Sequence, residues 1–326
     1  MKKKKIYFLA PKNKWWTYFY YKDIVSYLDE NYWENYDVYF LNTFFDYIKL
    51  HFIKSDIIFS IIPFIFKPLF TKKYIFNLHW NYKIERKNKW LWVKLLYLTE
   101  LNLWFSNKIM LTSYYLADKL NFREKYDYKI SISPLFIDKI SLNNKNLDQD
   151  NIKILTVSSA NFLNKWLWVY NIAKELFKIN NKNIYWKIIL PWNVNNKKII
   201  LDKIKKIDKP KNITYKVYDF IEREKLDTFY LNTDIFIYAS NFETWWWVIM
   251  EACSFWKPII LLENDLWKYI FPNYFITRNI EKKFKYIIMN YNNESNNSLE
   301  FIKKYLIWDI INKLIKNEIL NYNTNL

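Results

Sequence analysis

The chain has 326 residues, a formal charge of +18, one cysteine and two histidines. This length fits two α/β domains, and the single Cys253 excludes an internal disulfide and a cysteine-based zinc site. The longest apolar stretch, residues 57–70, contains two prolines and a lysine and falls short of the roughly 20 residues of a membrane-spanning helix. We therefore expect a cytoplasmic protein, either soluble or bound peripherally to the inner face of the cell membrane.

The positive charge favours an anionic partner such as a phosphorylated small molecule, anionic lipid or nucleic acid. A nucleic-acid site predicts a basic stripe interleaved with aromatics, whereas these lysines are scattered along predicted helices. We expect no nucleic-acid partner. We do expect that an anionic membrane surface can bind the basic N-terminal half through exposed aromatic residues such as Phe19–Tyr21.

Short apolar runs alternate with helical patterns, which is typical of parallel sheets covered by helices. In the first half, strands are predicted near residues 5–9, 37–41, 56–60, 74–78, 108–111 and 129–133. Helices are predicted near residues 17–31, 91–105 and 114–122. We assign residues 1–141 to an N-terminal Rossmann-like domain.

A polar segment, residues 142–151, follows this domain. It contains four asparagines and no apolar period, so we expect an interdomain linker. Asp148-Gln149-Asp150 inside it has the letters of an Asp-x-Asp metal motif. That motif should end a buried strand beside a diphosphate, so we interpret this copy as a solvated loop and expect no metal site.

The alternation of strands and helices restarts after the linker. Strands are predicted near residues 152–158, 185–190, 213–217, 234–238 and 258–262. Helices are predicted near residues 167–179, 195–207, 223–232 and 248–255. We assign residues 152–298 to a C-terminal Rossmann-like domain and residues 299–326 to an amphipathic helix and tail.

Glycine is absent from the chain, whereas tryptophan occurs 17 times. Average usage of about 7 % predicts roughly 23 glycines in a chain of this length. An indole adopts positive φ only at a cost, and indoles at a helix start keep phosphate from the amides. Yet many of the tryptophans stand at strand ends, helix starts and helix ends, at positions 15, 16, 166, 168, 192, 245–247 and 256. Trp256 falls just after a predicted helix and before Lys257-Pro258, at the C′ position where a left-handed residue is favoured.

We hypothesise that most of these tryptophans are glycines in the native protein. Some bacterial lineages read the codon UGA as glycine, and a translation that reads it as tryptophan produces this pattern. The abundance of Lys, Asn, Ile, Tyr and Phe, whose codons are AT-rich, agrees with this hypothesis. The alternative is that all the tryptophans are real. Under the glycine hypothesis, too, a few positions such as Trp33 and Trp308 can be genuine tryptophans.

The most specific segment is Ser240–Pro258, SNFETWWWVIMEACSFWKP. A strand is predicted to end at Ala239, and the following loop opens a helix whose free amides form a site for a diphosphate. Glu243 lies in the loop, where it can accept hydrogen bonds from sugar hydroxyls, and Glu251 lies deeper in the helix among apolar neighbours. The alternative is a helix-surface acid at Glu251 and an ordinary N-terminal helix acid at Glu243.

With glycine in place of tryptophan, this segment closely resembles the signature of the family 4 retaining glycosyltransferases. These enzymes have the GT-B fold, in which two Rossmann-like domains face each other across a cleft. The resemblance implies that residues 1–141 form the acceptor-side domain and that residues 152–298 form the nucleotide-sugar-binding domain. Glu243 and Glu251 have the family's E-x7-E spacing, and Trp256 falls on a family glycine. The resemblance implies that Glu251 binds the ribose, that Glu243 binds the donor sugar, and that the diphosphate meets amides near Trp245, Trp246 and Trp247.

A second match is Thr156–Trp168, TVSSANFLNKWLW. Here the family has a strand, a loop and then Lys-Gly at a helix start. Lys165 takes the place of the lysine that neutralises the donor diphosphate. The arginine that usually precedes this lysine by five residues is replaced by Ala160, which is a departure at the diphosphate site.

The other matches are weaker. The resemblance implies that Trp15 and Trp16 form the glycine-rich loop after the family's first strand, which faces the donor phosphates and the acceptor, so both are expected donor-binding positions. His79 follows a predicted strand where the family often has a histidine that reaches donor or acceptor; the alternative is a buried histidine bonded to backbone. Phe220 and Ile221 fall where the family cradles the nucleotide base, and Glu222 is alternatively a helix cap.

The resemblance implies transfer of a hexose from a UDP- or GDP-sugar to an acceptor hydroxyl with retention of configuration, in cell-surface polysaccharide or glycolipid synthesis. The acceptor is expected to be a saccharide or a lipid-linked molecule. His79 and Glu243 are the expected catalytic residues, and no cofactor or metal is expected, since the nucleotide sugar is a substrate. The alternatives are a sugar-nucleotide epimerase of the same fold and a non-catalytic basic binding protein.

Overall fold

The computed structural model describes residues 3–10, 16–78, 93–137, 139–141, 147–158, 163–191, 194–240 and 246–320. The chain forms two compact units. One unit comprises Met1–Asp138 with Ile307–Leu326, and the other comprises Lys139–Leu306. Each unit is an α/β domain built on one parallel sheet.

The first unit contains a six-stranded sheet in the order β2-β1-β3-β4-β5-β6, in which all neighbouring strands are parallel. Its strands are largely apolar runs, the pattern of strands that helices cover on both faces. The strands are β1 (Lys4–Leu9), β2 (Tyr36–Leu41), β3 (Ser55–Ser60), β4 (Thr71–Leu78), β5 (Lys108–Leu111) and β6 (Ile130–Ile132).

The helices between these strands are α1 (Trp16–Tyr32), α2 (Phe44–Leu50), α3 (Val93–Phe105), α4 (Tyr114–Lys119) and α5 (Phe122–Tyr126). The sequence-based prediction lacked α2, which is only seven residues long. A capping box nevertheless fixes its start. The Thr43 side chain accepts a hydrogen bond from the Asp46 amide, and the Asp46 carboxylate accepts one from the Thr43 amide, both at 3.1 Å.

The second unit contains another six-stranded parallel sheet, in the order β12-β11-β10-β7-β8-β9. Every strand predicted from the sequence is present, with ends that differ by at most three residues. Only the two-residue β12 was not predicted. The strands are β7 (Asn151–Val157), β8 (Asn183–Ile189), β9 (Ile213–Tyr218), β10 (Ile235–Tyr238), β11 (Ile259–Leu262) and β12 (Ile276–Thr277).

The second unit also contains helices, several of which pack apolar side chains onto this sheet. They are α6 (Leu163–Leu176), α7 (Val194–Lys205), α8 (Arg223–Leu231), α9 (Trp247–Ser254), α10 (Asp265–Ile270), α11 (Ile280–Met289) and α12 (Tyr291–Lys303). A last helix, α13 (Ile307–Leu314), continues into the π-helical segment Ile315–Leu320. Among the helices that the structure describes, none is long and apolar enough to cross a bilayer.

The C-terminal segment belongs to the first unit, although the sequence alone suggested a separate tail from residue 299. Buried Lys73 on β4 donates hydrogen bonds to Glu318 Oε2 at 2.8 Å and to the Glu318 carbonyl at 2.7 Å. Ser131 on β6 donates to Glu318 Oε1 at 2.7 Å. The change between units falls after residue 138, ahead of the expected linker at 142–151.

The expected membrane-facing aromatics at Phe19–Tyr21 are not exposed as a group, and this expectation is wrong. Tyr20 and Tyr21 are fully buried under the first sheet. The Tyr20 hydroxyl lies 2.6 Å from Ser133 Oγ, and its ring stacks on Phe136 at 4.9 Å. The helical period of α1 turns these two rings toward the core, which composition alone did not reveal.

We predict that Lys73→Met lowers the free energy of unfolding by about 3 kcal/mol, because it leaves the buried Glu318 carboxylate without its cation. The matched control is Lys72→Met, which removes an exposed lysine paired with Asp56 at 2.6 Å and should cost less than about 1 kcal/mol. Urea denaturation followed by circular dichroism measures both. Equal midpoints for the two variants would contradict the role given to the Lys73–Glu318 pair.

Candidate functional site

The second sheet has a topological switch point between β7 and β10. Strands β8 and β9 continue from β7, and β11 and β12 continue from β10. Phe236 pairs with Leu155, so the carboxyl ends of the two strands lie side by side. Open α/β sheets bind ligands outside the strand ends at such a point. The segments Thr156–Trp168 and Ser240–Pro258 leave the sheet from these two strands.

Glu251 lies one turn into α9, the helix that follows β10. The residue is only 8 % exposed, which excludes the alternative of a helix-surface acid. The Tyr230 hydroxyl donates a hydrogen bond to Glu251 Oε2 at 2.9 Å and lies 3.3 Å from the Val248 carbonyl. A fully buried phenol therefore orients this carboxylate.

Tyr230 was missed by the sequence analysis. It lies in α8, and no motif marks it. The available signal was its i, i+4 spacing from Leu226, which puts both residues on the buried face of that helix. That spacing predicts burial, but only the packing of α8 against α9 shows that the hydroxyl meets Glu251.

The end of α9 has the geometry of a Schellman motif. The Trp256 amide donates to the Cys253 carbonyl at 2.9 Å, and the Lys257 amide donates to the Ala252 carbonyl at 3.1 Å. Trp256 has φ of 58°, as the sequence predicted for this helix end. A residue with a Cβ is strained in this left-handed region, where glycine is not.

The start of α9 is filled by indoles. Trp246 occupies the N-cap position without a side-chain capping bond, and Trp247 is the first helical residue. Both side chains are buried. The Nε1 of Trp246 is buried without a hydrogen-bond partner among the described residues, and the same holds for Trp256 and Trp267. A buried donor without a hydrogen-bond partner lowers the free energy of unfolding by about 1–3 kcal/mol.

Trp186 on β8 is different. Its buried Nε1 donates to Thr156 Oγ1 at 3.0 Å, and that hydroxyl donates to the Ile237 carbonyl at 3.0 Å. The indole therefore closes a hydrogen-bonded chain across three neighbouring strands. This position uses both the volume and the donor of a tryptophan.

The loops beyond β10 and β11 are tied together. Asn264 caps α10 by accepting a bond from the Trp267 amide at 2.8 Å, and its side chain donates to the Ser240 carbonyl. Next to it, Arg278 and Lys268 bind Glu263. Their hydrogen bonds lower the pKa of Glu263 to about 2. Three ionised side chains that pair through Glu263 therefore lie at this edge of the sheet.

The structure describes the backbone at several of the remaining donor-site positions. Lys165 is the third residue of α6, which begins at Leu163. Phe220 and Ile221 lie between β9 and α8, at the carboxyl edge of the sheet, and the Phe220 side chain is exposed. Glu222 is the N-cap residue of α8 but makes no side-chain capping bond.

Several predicted residues lie outside the described part of the chain: Trp15, His79, Ala160, Glu243 and Trp245. Their roles stay predictions. Trp16 begins α1, the helix that follows β1. The first sheet has its own switch point between β1 and β3, because β2 lies on one side and β4 to β6 continue on the other.

The described residues contain no cluster of three or more histidine, cysteine or acidic side chains that could hold a metal ion. Asp148 and Asp150 of the Asp-x-Asp letters are exposed. Asp148 Oδ1 accepts hydrogen bonds from the Asp150 and Asn151 amides at 3.0 and 3.2 Å, so this carboxylate stabilises the turn before β7.

No family profile and no characterised protein sequence matches the chain. Solved structures do match it over nearly its whole length. The lipopolysaccharide outer core galactosyltransferase WaaB has a TM-score of 0.66 and 11 % identity, covering 98 % of this chain and 99 % of WaaB. HepE of Anabaena in complex with UDP-glucose has a TM-score of 0.65 and 12 % identity, covering 96 % of this chain and 98 % of HepE.

A glycosyltransferase of Rickettsia africae also matches, with a TM-score of 0.62 and 12 % identity over 97 % of this chain and 98 % of that protein. The chain has the GT-B fold. At these identities the likeness concerns the fold. Within the GT-B fold, the switch point of the second sheet is the place where the sequence motifs and the buried Glu251 meet.

We predict that Trp256→Gly raises the free energy of unfolding above that of Trp256→Ala by about 1 kcal/mol. Both variants lose the indole, and only alanine keeps a Cβ at φ of 58°. As a contrast, Trp186→Gly should lower the free energy of unfolding by about 3–5 kcal/mol. Thermal and urea unfolding of the three variants measure these differences. An alanine variant as stable as the glycine variant would remove the case for glycine at position 256.

Proposed function

We propose that the protein is a retaining glycosyltransferase that moves a hexose from a UDP-sugar to an acceptor hydroxyl. The observation that carries this proposal is the departure of both motif segments from β7 and β10 at the switch point of a GT-B fold. A similar fold occurs in HepE, whose structures contain UDP-glucose or UDP. This likeness favours uridine over guanosine as the donor base.

The donor is proposed to lie across the ends of β7, β9 and β10. Glu251 would accept hydrogen bonds from the ribose hydroxyls, and the backbone of Phe220 and Ile221 would border the base. Glu243 would hold the hexose, and Lys165 would neutralise the diphosphate. The burial of Glu251 and its bond from Tyr230 support the first assignment, since a fixed carboxylate loses little entropy on binding.

Negative charge develops on the leaving diphosphate during this reaction, and the enzyme must stabilise that charge. Lys165 and the amides at the start of α9, near Trp245 to Trp247, would stabilise that charge in the transition state. His79 would orient donor or acceptor, and the diphosphate itself would assist removal of the acceptor proton. These protein groups would stabilise the diphosphate charge that other transferases neutralise with a metal ion.

We further propose that the native residues at positions 245–247 and 256 are glycines, as are those at 15, 16, 166, 168 and 192. The left-handed backbone of Trp256 supports this view, as does the buried Nε1 of Trp246, which has no hydrogen-bond partner in the part of the chain that the structure describes. Glycine at the α9 start would uncover the amides for a diphosphate. Trp186 should remain tryptophan, because its donor is used.

Peptide mass spectrometry of the natively expressed protein tests this proposal. We expect glycine at 246, 247 and 256 and tryptophan at 186. The peptide that contains Trp186 is the internal control, since it shows that genuine tryptophan is detected. Tryptophan at all four positions would overturn the glycine proposal and would leave the α9 start closed to phosphate.

Calorimetric titration of the glycine-containing protein with UDP tests the donor site. We expect Glu251→Gln to raise the UDP Kd by about tenfold or more, because a bond to a charged group is lost. Tyr230→Phe should raise it by about threefold, because the carboxylate is no longer oriented. The control is Glu300→Gln, an exposed acid paired with Lys303, which should leave the Kd unchanged.

Activity assays separate the competing functions. A panel of UDP- and GDP-hexoses, with NMR of the product anomer, would report donor base and stereochemistry. Formation of an epimer without any acceptor would favour the epimerase. If neither UDP nor GDP binds the glycine-containing protein, the transferase proposal fails. We propose a saccharide or lipid-linked acceptor, and a site of action at the inner face of the cell membrane in polysaccharide or glycolipid synthesis.

A further inference from the structure

The first unit gathers large apolar side chains on its surface around α2. Such side chains usually stand singly on soluble proteins, and a contiguous patch marks an interaction surface. Phe45 is 80 % exposed, Trp104 is 74 % exposed and Phe44 is 72 % exposed. The aromatic surface, as we name it, consists of Phe44, Phe45, Phe52, Ile65, Phe66, Leu69, Phe70 and Trp104.

Ring contacts connect the aromatic surface. Phe44 stacks on Tyr47 with centroids 6.3 Å apart, and Phe52 lies 6.4 Å from Phe66. The His51 ring lies between them, 5.2 Å from Tyr47 and 4.3 Å from Phe66. A shallow depression continues the surface toward α3 and is lined by Ile65, Phe66, Lys67, Leu101, Trp104 and Phe105.

The backbone that carries the aromatic surface is fixed by hydrogen bonds. Asn102 on α3 accepts a bond from the Phe64 amide at 2.8 Å and donates to the Phe64 carbonyl at 2.7 Å. The Tyr47 hydroxyl donates to the Pro63 carbonyl at 3.2 Å and accepts from the Ile65 amide at 3.0 Å. The exposed rings therefore belong to a loop that these hydrogen bonds fix in place and to a helix, α2, whose N-terminus is capped.

Unbalanced positive charge surrounds the aromatic surface. Residues 42–73 contain five lysines and two aspartates, and one of these lysines, Lys73, is buried and paired with Glu318. Asp46 belongs to the capping box of α2, and Asp56 pairs with Lys72 at 2.6 Å. Three further lysines of this stretch have exposed side chains: Lys49, Lys54 and Lys67.

We infer that the aromatic surface docks on a lipid bilayer that contains anionic phospholipid. Aromatic and branched side chains enter the boundary between headgroups and acyl chains, and neighbouring lysines reach the phosphates with their stems along the apolar surface. The formal charge of +18 adds attraction to an anionic leaflet. The same charge disfavours a second copy of the chain, because pairing two such surfaces would bring their exposed lysines together.

This inference deepens the proposed function by naming the surface that would bring the enzyme to a lipid-linked acceptor. Its test uses no sugar donor, so a failed vesicle assay and a failed donor assay are separate results. The full-length protein is sedimented with vesicles of phosphatidylcholine alone or of phosphatidylcholine mixed with phosphatidylserine. The variant is Phe44→Ser/Phe45→Ser, whose exposed side chains can be replaced with little effect on folding.

The matched control is Tyr128→Ser, which removes a 79 % exposed aromatic side chain outside the aromatic surface. We expect binding to the anionic vesicles, a loss of at least about tenfold in the partition coefficient of the double variant, and no loss in the control. A Lys54→Gln/Lys67→Gln variant should weaken binding to anionic vesicles about threefold to tenfold and leave binding to neutral vesicles unchanged.

Three results would overturn the inference. One is background sedimentation with anionic vesicles, and another is equal loss in the double variant and the Tyr128 control. The third is a concentration-dependent dimer in light scattering that the Phe44→Ser/Phe45→Ser variant abolishes, since the surface would then bind a second copy. Circular dichroism of each variant confirms that the fold is intact before any vesicle result is used.

Discussion

Main-chain pairing between β7 and β10 holds together the two segments that carry the proposed donor site. Thr156 adds a side-chain bond to the Ile237 carbonyl, which joins residues 81 positions apart in the chain. Because parallel strands end at the same sheet edge, the loops that follow them emerge side by side. The helices α6 and α9 follow these two strands, so the positions of Lys165 and Glu251 beside one sheet edge depend on this pairing.

The burial of Glu251 shows how the helices support this edge. A carboxylate in an apolar helix face needs a polar partner, and Tyr230 supplies one from the preceding helix. At the next strands, Asn264 ties the end of β10 to α10, and Glu263 holds Arg278 and Lys268. The edge is therefore stiffened by side chains that the motifs themselves do not include.

Three tryptophans differ in how they fit their surroundings. Trp186 fills a strand position and uses its donor, whereas Trp256 stands in a left-handed helix end. Trp246 is an N-cap residue with a buried indole nitrogen that has no hydrogen-bond partner among the described residues. Local consistency between side chain and backbone is normal for a foldable sequence. Side chain and backbone are consistent at Trp186 but not at Trp246 and Trp256, which lie at helix ends. This contrast gives the glycine proposal a structural basis that does not depend on composition.

The sequence by itself determined the strands and the order of elements, because buried parallel strands are recognisable apolar runs. It also determined the E-x7-E spacing and the conformation at Trp256, since both are local properties of the chain. Only the tertiary structure decided that Tyr230 meets Glu251, that Tyr20 and Tyr21 are buried, and that the C-terminal segment joins the first unit through Lys73 and Glu318. These are contacts between residues distant in sequence, and periodicity can predict that a side chain is buried but not what it packs against.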